Sequence, residues 1–252
     1  MTEKQFIHLH QHDTNSNQQY LEVVSTIEDY IKQAQERKLP AVCISNHGNI
    51  VDWYDRKLKI ESDNTGMKYI HSIEAYITDN SSEKVRDNFH LLLIAKNEKG
   101  WREINKLSSR SFTRTDNHYY YAPRMYAEEI FDTSDNVIIL SACLGSPFFQ
   151  NYKNGNTEMF NRWVEFFVKN KHRTYFELQP HLTSEQKEYN RLLLDLSNKH
   201  GVQIVATNDV HASTKEHDDI RKQLKKSKGV AYETDDDYEL WAKTREEMVA
   251  SF

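Results

Sequence analysis

Short apolar runs alternate with amphipathic patterns along the whole chain. The helical patterns have apolar residues at three- and four-residue spacing, and the apolar runs have the length of strands. Because the two kinds of segment alternate, the pattern predicts an α/β fold with largely parallel strands. The predicted strands are 6–10, 41–45, 69–77, 90–95, 137–141, 175–178 and 202–207. The predicted helices are 25–37, a segment through 103–107, 158–169 and 184–200.

The ends of two predicted helices carry recognisable signals. Thr26 or Ser25 can cap the start of the first helix, and Leu39-Pro40 ends it. The run that begins at Thr183 has capping chemistry, and Gly201 is a natural stop after the last predicted helix. About seven strand–helix units follow one another without a clear linker. This organisation favours a single barrel over residues 1–252 rather than an open sheet.

Composition narrows the class of protein. A chain of 252 residues with 38% hydrophobic residues can bury a sizeable core, and this composition argues against disorder. No apolar stretch is long enough to span a membrane, and the N-terminal residues do not resemble a signal peptide. We therefore expect a cytoplasmic protein without a membrane partner. Of the two cysteines, Cys43 lies in an apolar run and is expected in the core.

The net charge of −5 affects how a nucleic acid could bind. Proteins that hold nucleic acid mainly by neutralising phosphates are usually basic. If this chain acts on a nucleic acid, bound metal cations must supply much of the local positive field.

Metal-binding side chains recur where the predicted strands end, which is where barrel enzymes place their active sites. Alternation within the first strand projects three imidazoles to one face. Each such residue has an ordinary structural explanation when taken alone, but their recurrence indicates a multinuclear metal site. Imidazole, carboxylate and one thiolate suit Zn²⁺, Mn²⁺ or Fe²⁺ better than Ca²⁺ or Mg²⁺ alone. The residues are His8, His10, His12, His47, Glu74, His90, Cys143, Asp209 and His211.

Seven motifs in order resemble the PHP (polymerase and histidinol phosphatase) domain family. The resemblance covers essentially the whole chain and is strongest to the form found at the N-terminus of bacterial DNA polymerase III alpha subunits. The motifs are Phe6-Ile7-His8-Leu9-His10-Gln11-His12, Ile44-Ser45-Asn46-His47-Gly48-Asn49, Ile73-Glu74-Ala75-Tyr76, His90-Leu91-Leu92-Leu93-Ile94-Ala95-Lys96-Asn97, Tyr120-Tyr121-Ala122-Pro123-Arg124, Ser141-Ala142-Cys143-Leu144-Gly145 and Ala206-Thr207-Asn208-Asp209-Val210-His211.

The resemblance implies a distorted, TIM-like (βα)₇ barrel that holds two or three divalent ions, Zn²⁺ or Mn²⁺, with Fe²⁺ or Mg²⁺ as alternatives. Asp209 or His211, beside the metals, is also expected to help relay a proton during catalysis. His8 falls beside the metals, and we expect it, with Arg124 and His181, to contact the substrate. The implied metal ligands are His10, His12, His47, Glu74, His90, Cys143, Asp209 and His211.

Two positions depart from the family pattern. The polymerase-type pattern has an Asp where this chain has Gln19, and Asp13 is the nearest carboxylate in the preceding stretch. The usual Asp before His47 is Asn46, an amide that accepts hydrogen bonds but adds no negative charge. Both changes are expected to weaken one metal position without emptying the site.

The resemblance implies a metal-dependent phosphoesterase, and more specifically a 3′–5′ exonuclease that acts on DNA. The expected partners are single-stranded DNA or a nucleotide phosphate as substrate, together with a DNA polymerase. Two alternatives remain open: a non-catalytic PHP module associated with a replicative polymerase, and a small-molecule phosphatase. The nearly complete ligand set favours catalysis, since a module that had lost its activity would be expected to lack ligands.

Overall fold

The computed structural model describes residues 6–18, 21–62, 66–80, 85–231 and 233–252. Within these ranges the strands are β1 (Ala41–Ile44), β2 (Lys68–Thr78), β3 (Phe89–Ala95), β4 (Tyr119–Tyr120), β5 (Ala122–Pro123), β6 (Met125–Tyr126), β7 (Val137–Leu140), β8 (Thr174–Leu178) and β9 (Gln203–Ala206). The helices are α1 (Ile27–Glu36), α2 (Trp53–Glu61), α3 (Glu98–Ser111), α4 (Ala127–Phe131), α5 (Pro147–Lys153), α6 (Thr157–Lys169), α7 (Ser184–His200), α8 (Lys215–Ser227) and α9 (Arg245–Ser251). Short 3₁₀ turns cover Thr14–Ser16 and Glu233–Asp237.

One curled sheet forms the centre of the fold, with the strand order β1-β2-β3-β7-β8-β9 and with β6 beside the end of β2. The pairs β1–β2, β7–β8 and β8–β9 are parallel, as predicted. Strand β3 is antiparallel to both of its neighbours, so the expectation of largely parallel strands is wrong for this strand. Because β3 runs in the opposite direction, its first residues lie at the same end of the sheet as the last residues of β1, β7 and β9.

The first predicted strand, 6–10, does not form a ladder. The segment is extended and then bends, and Gln11 makes only an isolated bridge with Val210. The amide of His12 donates to the carbonyl of Val210 (2.8 Å), and the amide of Ser45 donates to the carbonyl of Gln11 (2.7 Å). These few hydrogen bonds place the segment between the β1 and β9 edges of the curled sheet. These hydrogen bonds hold His10 and His12 at the end of the sheet where β1 and β9 finish.

Helices cover the outer face of the sheet, and their apolar faces pack against the apolar side chains of the strands. The largest core cluster joins β2, β3 and β7 to residues of α5, α6 and α7, such as Phe148, Trp163 and Leu193. A second cluster joins α1 to β1 through Tyr30 and Ile44. Cys43 is fully buried, as predicted. Across the described ranges, none of the helices is both long enough and apolar enough to cross a membrane.

Candidate metal centre

The eight predicted ligands meet at one end of the sheet, and the Glu74 carboxylate lies among four of the histidines. Its Oε1 atom is 3.2 Å from His10 Nε2 and 3.0 Å from His90 Nδ1. Its Oε2 atom is 3.6 Å from His12 Nε2 and 2.5 Å from His47 Nδ1. Glu74 is fully buried in the middle of β2. Burial disfavours its charged form, but the charges of His90, His47 and His10 hold the pKa of Glu74 well below its usual range.

The first group of donor atoms comes from His10, His12 and Asp209. The Oδ1 atom of Asp209 is 3.1 Å from His10 Nε2 and 3.3 Å from His12 Nε2. Within the described part of the chain, these three buried atoms have no partner with hydrogen-bond geometry. Buried polar atoms are rarely left unpaired, so their convergence fits a bound cation. Asp209 lies three residues after the end of β9 and has a φ of 48°, a left-handed conformation that is uncommon for a residue with a side chain.

The second group comes from Glu74, His90 and Cys143. The Cys143 Sγ atom is 3.5 Å from His90 Nδ1 and 3.8 Å from Glu74 Oε1. Burial, together with the charges of Glu74 and Asp209, raises the pKa of the Cys143 thiol well above its usual value. The thiol therefore stays protonated until a cation is present to stabilise the thiolate.

The third group contains a residue that the sequence analysis did not identify. The Glu22 Oε2 atom is 3.1 Å from His47 Nε2 and 4.0 Å from His211 Nε2. The His12 ring lies between these two histidines, with ring centroids 4.2 Å from His47 and 4.4 Å from His211. Burial opposes ionisation of Glu22, but the hydrogen bond and charge of His47 lower the pKa of Glu22 to about 2. Glu22 follows no strand and belongs to no motif. The only feature of the sequence that could have suggested it is that it is a carboxylate in the loop before α1.

His47 lies between two carboxylates. Burial disfavours its charged form, but the charge of Glu74 and the hydrogen bonds to Glu22 and Glu74 raise the pKa of His47 to about 10. Without a metal, His47 is therefore an imidazolium at neutral pH. A metal ligand must be a neutral imidazole, so a metal that binds here displaces this proton.

Glu177 orients His10 from behind and was also missed by the sequence analysis. The His10 Nδ1–H group donates to Glu177 Oε1 (2.6 Å), which also accepts from Gln179 Nε2 (2.9 Å) and from the Thr207 hydroxyl. This contact keeps the proton on Nδ1 and leaves Nε2 free for a metal, as carboxylates behind metal-bound histidines commonly do. The sequence shows only a Glu within the apolar run of the predicted strand 175–178, and the structure buries it fully inside β8.

A chain of polar groups orients His12 and explains the amide at position 46. The Ser16 hydroxyl accepts from His12 Nδ1 (3.0 Å) and donates to Asn46 Oδ1 (2.8 Å). Asn46 Nδ2 donates to Asp13 Oδ1 (2.6 Å), and Arg56 pairs with Asp13 Oδ2 (2.6 Å). A carboxylate at position 46 would face the Asp13 carboxylate, so the amide is the group that this neighbour requires. Asp13 itself thus pairs with Arg56 and Asn46. Gln19 lies outside the described residues.

Of the predicted substrate contacts, His181 has the most suitable environment. Its buried ring packs against Tyr238 with centroids 4.8 Å apart, and its Nε2 atom has no hydrogen-bond partner among the residues described. Burial lowers the pKa of His181 to about 4, so the ring is neutral near pH 7. His8 lies outside the cluster, where its Nε2–H donates to the Lys243 carbonyl (2.8 Å).

The predicted phosphate contact of Arg124 needs correction. Its guanidinium is almost fully buried and donates to the backbone carbonyls of Val85 (2.6 Å), Asp87 (3.2 Å) and Asn117 (2.9 Å). It also pairs with the Asp87 carboxylate (3.1 Å). These bonds occupy the donors of the side chain, so Arg124 anchors the segments that precede β3 and β4 rather than presenting its charge to a substrate.

The donor chemistry of the whole centre suits divalent transition metals. Imidazole nitrogens, carboxylate oxygens and one thiol are the ligands of Zn²⁺, Mn²⁺ and Fe²⁺ sites. Several of the converging buried atoms, among them His10 Nε2, His12 Nε2 and Asp209 Oδ1, find no partner elsewhere in the described ranges. The residues present therefore fit the group of metals that the motifs predicted.

Sequence comparison with known proteins identifies the same family as the motifs do. The sequence profile of the PHP domain matches residues 8–181. The chain is 33% identical over 227 residues to the DNA polymerase III subunit alpha of Aquifex aeolicus, covering 82% of this chain and 18% of that protein. It is 31% identical over 248 residues to the same subunit of Deinococcus radiodurans, covering 92% and 17%. The chain thus spans less than a fifth of the length of these relatives.

A solved structure shares the fold. The crystal structure of a protein from Bifidobacterium adolescentis, named as a candidate metal-dependent phosphoesterase, superposes with a TM-score of 0.50 at 13% sequence identity. The superposition covers 83% of this chain and 89% of that protein. At this identity the likeness concerns the fold alone.

Proposed function

Because the chain belongs to the PHP domain family, we propose that it is a metal-dependent phosphoesterase that acts on DNA as a 3′–5′ exonuclease. The family and the distorted TIM-like PHP fold that the motifs predicted are confirmed. The observation that carries the proposal is the convergence of all eight predicted ligands at one end of the sheet, with unpaired nitrogen and oxygen atoms facing one another.

Three groups of residues would hold the ions. His10, His12 and Asp209 form one group, with Glu74 beside them. Glu74, His90 and Cys143 form another, and His47 and His211 contribute to a third. When bound, divalent ions at these positions would polarise the phosphate and make a coordinated water a stronger acid.

The protein's own groups have separate tasks in this proposal. The His211 Nδ1–H group donates to the backbone carbonyl of Asp209 (2.8 Å), which directs His211 Nε2 toward the centre. The Asp209 carboxylate lies within reach of three histidines. Burial disfavours its charged form, but the charges of His10 and His211 hold the pKa of Asp209 well below its usual range, so this carboxylate would hold a cation and is a weak proton acceptor. The neutral His181 ring would hydrogen-bond to a phosphate oxygen through Nε2.

DNA is proposed as the substrate, and association with a DNA polymerase as a further property. Both proposals are supported by the relatives, which are subunits of a DNA polymerase. The negative net charge agrees with a substrate held at the cations rather than along a basic surface. A non-catalytic module and a small-molecule phosphatase remain the alternatives that an assay must separate.

The test measures metal content and hydrolysis in the same preparation. Purified protein is analysed for metals and then assayed in Mn²⁺ or Zn²⁺ on end-labelled single-stranded DNA and on para-nitrophenyl phosphate. The variants His47→Ala and Asp209→Ala should lose at least about 100-fold in rate, because each removes a donor from the centre. His172→Ala is the control, since His172 is an exposed histidine paired with Asp135. Metal without hydrolysis would indicate a non-catalytic module, and hydrolysis of the small phosphate alone would indicate a phosphatase.

A further inference from the structure

We propose that Glu22 is a metal ligand that completes the group formed by His47 and His211. This inference rests on the metal centre of the proposed function and adds a residue that lies outside every motif of the family pattern. Its basis is the position of the Glu22 carboxylate, 3.1 Å from His47 Nε2 and 4.0 Å from His211 Nε2.

The orientation of both imidazoles supports a shared ion. His47 Nδ1 faces the Glu74 carboxylate (2.5 Å), and His211 Nδ1 donates to the Asp209 carbonyl (2.8 Å). With these nitrogens occupied, the Nε2 atoms of both rings point toward Glu22. Two imidazole nitrogens and one carboxylate oxygen therefore converge, which is the donor set of many catalytic Zn²⁺ and Mn²⁺ sites.

Charge gives a second reason. The other two groups contain the carboxylates of Asp209 and Glu74, whereas the cluster of His12, His47 and His211 consists of imidazoles alone. The carboxylates of Glu74 and Asp209 face the Nδ1 atoms of His47 and His211, so neither supplies a negative charge on the Nε2 side, where this ion would bind. A divalent cation held there by neutral imidazoles alone would lack a compensating charge, which is energetically unfavourable in a buried site. Glu22 supplies one negative charge at this position. The side chain is 30% exposed, so an ion here can be reached from solvent.

The loop before α1 is built so that Glu22 reaches the histidines. The Asn17 side chain accepts from the amides of Glu22 and Val23, both at 2.9 Å, and donates to the Val23 carbonyl (2.7 Å). These three bonds fix the backbone on both sides of the Glu22 Cα atom. The family pattern places an acid at position 19, where this chain has Gln19. In this chain, the carboxylate comes from a residue three positions later.

The test compares three purified variants with the wild type by metal analysis and by calorimetric titration with Mn²⁺ alone. Glu22→Gln removes the charge but keeps the shape, and Glu22→Asp shortens the side chain by one methylene. Glu28→Gln is the control, because Glu28 is an exposed carboxylate on α1 that pairs with Lys59. Circular dichroism and thermal unfolding establish that each variant is folded.

We expect Glu22→Gln to weaken one class of Mn²⁺ site by about 10- to 100-fold and to leave the others unchanged. Glu22→Asp should retain part of the affinity, and Glu28→Gln should match the wild type. Unchanged affinity and stoichiometry in Glu22→Gln would overturn the assignment while the proposed function stands. Absence of metal binding by the wild type itself would overturn both.

Discussion

At the scale of single residues, one buried carboxylate outside the ligand set controls how His10 presents its nitrogen. The Glu177 Oε1 atom is 2.6 Å from His10 Nδ1, so Nε2 is the nitrogen that faces the metal centre. Glu177→Gln should lower metal affinity by about 10- to 100-fold, because the amide no longer stabilises this tautomer. Calorimetric titration with Mn²⁺ measures the effect. Glu188→Gln, at an exposed pair with Lys153, is the control, and equal affinities in the two variants would contradict the role of Glu177.

The amide at position 46 gives a second prediction at this scale. Asn46→Asp would bring two carboxylates within about 3 Å of each other, because Asn46 Nδ2 is 2.6 Å from Asp13 Oδ1. We expect a loss of about 2–4 kcal/mol in the free energy of unfolding at pH 7. The loss should shrink toward pH 4, where the two groups can share a proton.

The matched control for this prediction is the exchanged pair. The double variant Asp13→Asn, Asn46→Asp restores one amide and one carboxylate, although Arg56 then lacks its present partner. Denaturant unfolding of the two single variants and the double variant forms a cycle. Additive losses would show that the two side chains do not interact in the way the structure indicates.

The sequence alone identified the eight candidate ligands that the fold brings together, but not Glu22 and Glu177, which lie against them. The eight ligands belong to motifs that the chain keeps in order. Glu22 comes from a loop whose path depends on the Asn17 side chain, and Glu177 has the spacing of an ordinary strand residue. Nothing in local pattern tells a buried carboxylate that orients a histidine from one that does not. Arg124 shows the converse, because it belongs to a motif but its guanidinium donates to backbone carbonyl groups instead of facing the site.

At the scale of elements, the turn after β7 determines where His90 lies. A Cβ atom on Gly145 would come within 2.9 Å of the His90 ring, and the Gly145 carbonyl accepts the His90 amide at 2.9 Å. Gly145→Ala should therefore displace His90 and weaken metal binding by at least about 10-fold. Metal analysis after desalting measures the loss.

The control for this prediction is Gly100→Ala. Its Cβ atom would meet the Asn136 carbonyl oxygen at 2.3 Å, at the start of α3 and away from the eight ligands. Both variants should lower the unfolding temperature, but only Gly145→Ala should lose metal under conditions where both are folded. Equal metal retention would mean that the turn can shift without moving His90.

Elements with their own start and stop signals were predicted well. Helix α7 has the predicted bounds, since the Thr183 side chain caps its first turn and Gly201 adopts a φ of 73° at its end. The first predicted strand failed because alternation shows which way side chains point but not whether a neighbouring strand is there to pair. The direction of β3 could not be predicted either, because a short apolar run does not show whether a buried strand is parallel or antiparallel to its neighbours.

At the scale of the whole molecule, the candidate metal centre is expected to couple stability to pH. Without metal, His47 is protonated near neutral pH because its pKa is raised to about 10, and the raised pKa of Cys143 keeps the thiol protonated. Coordination requires a neutral imidazole and a thiolate, so binding releases at least one proton. The affinity for metal should therefore increase with pH, by about 10-fold per unit for each proton released below pH 10.

Stabilisation by metal should follow the same trend. A divalent ion at 100 times its dissociation constant adds about 2.7 kcal/mol to the free energy of unfolding. For a chain of this size that corresponds to an increase of about 5–11 °C in Tm. We expect a larger increase with MnCl₂ at pH 8.5 than at pH 6.5, measured against EDTA, with CaCl₂ as the control for ionic strength. Equal shifts at the two pH values, or no proton release in calorimetric titrations in two buffers, would contradict displacement of protons from His47 and Cys143.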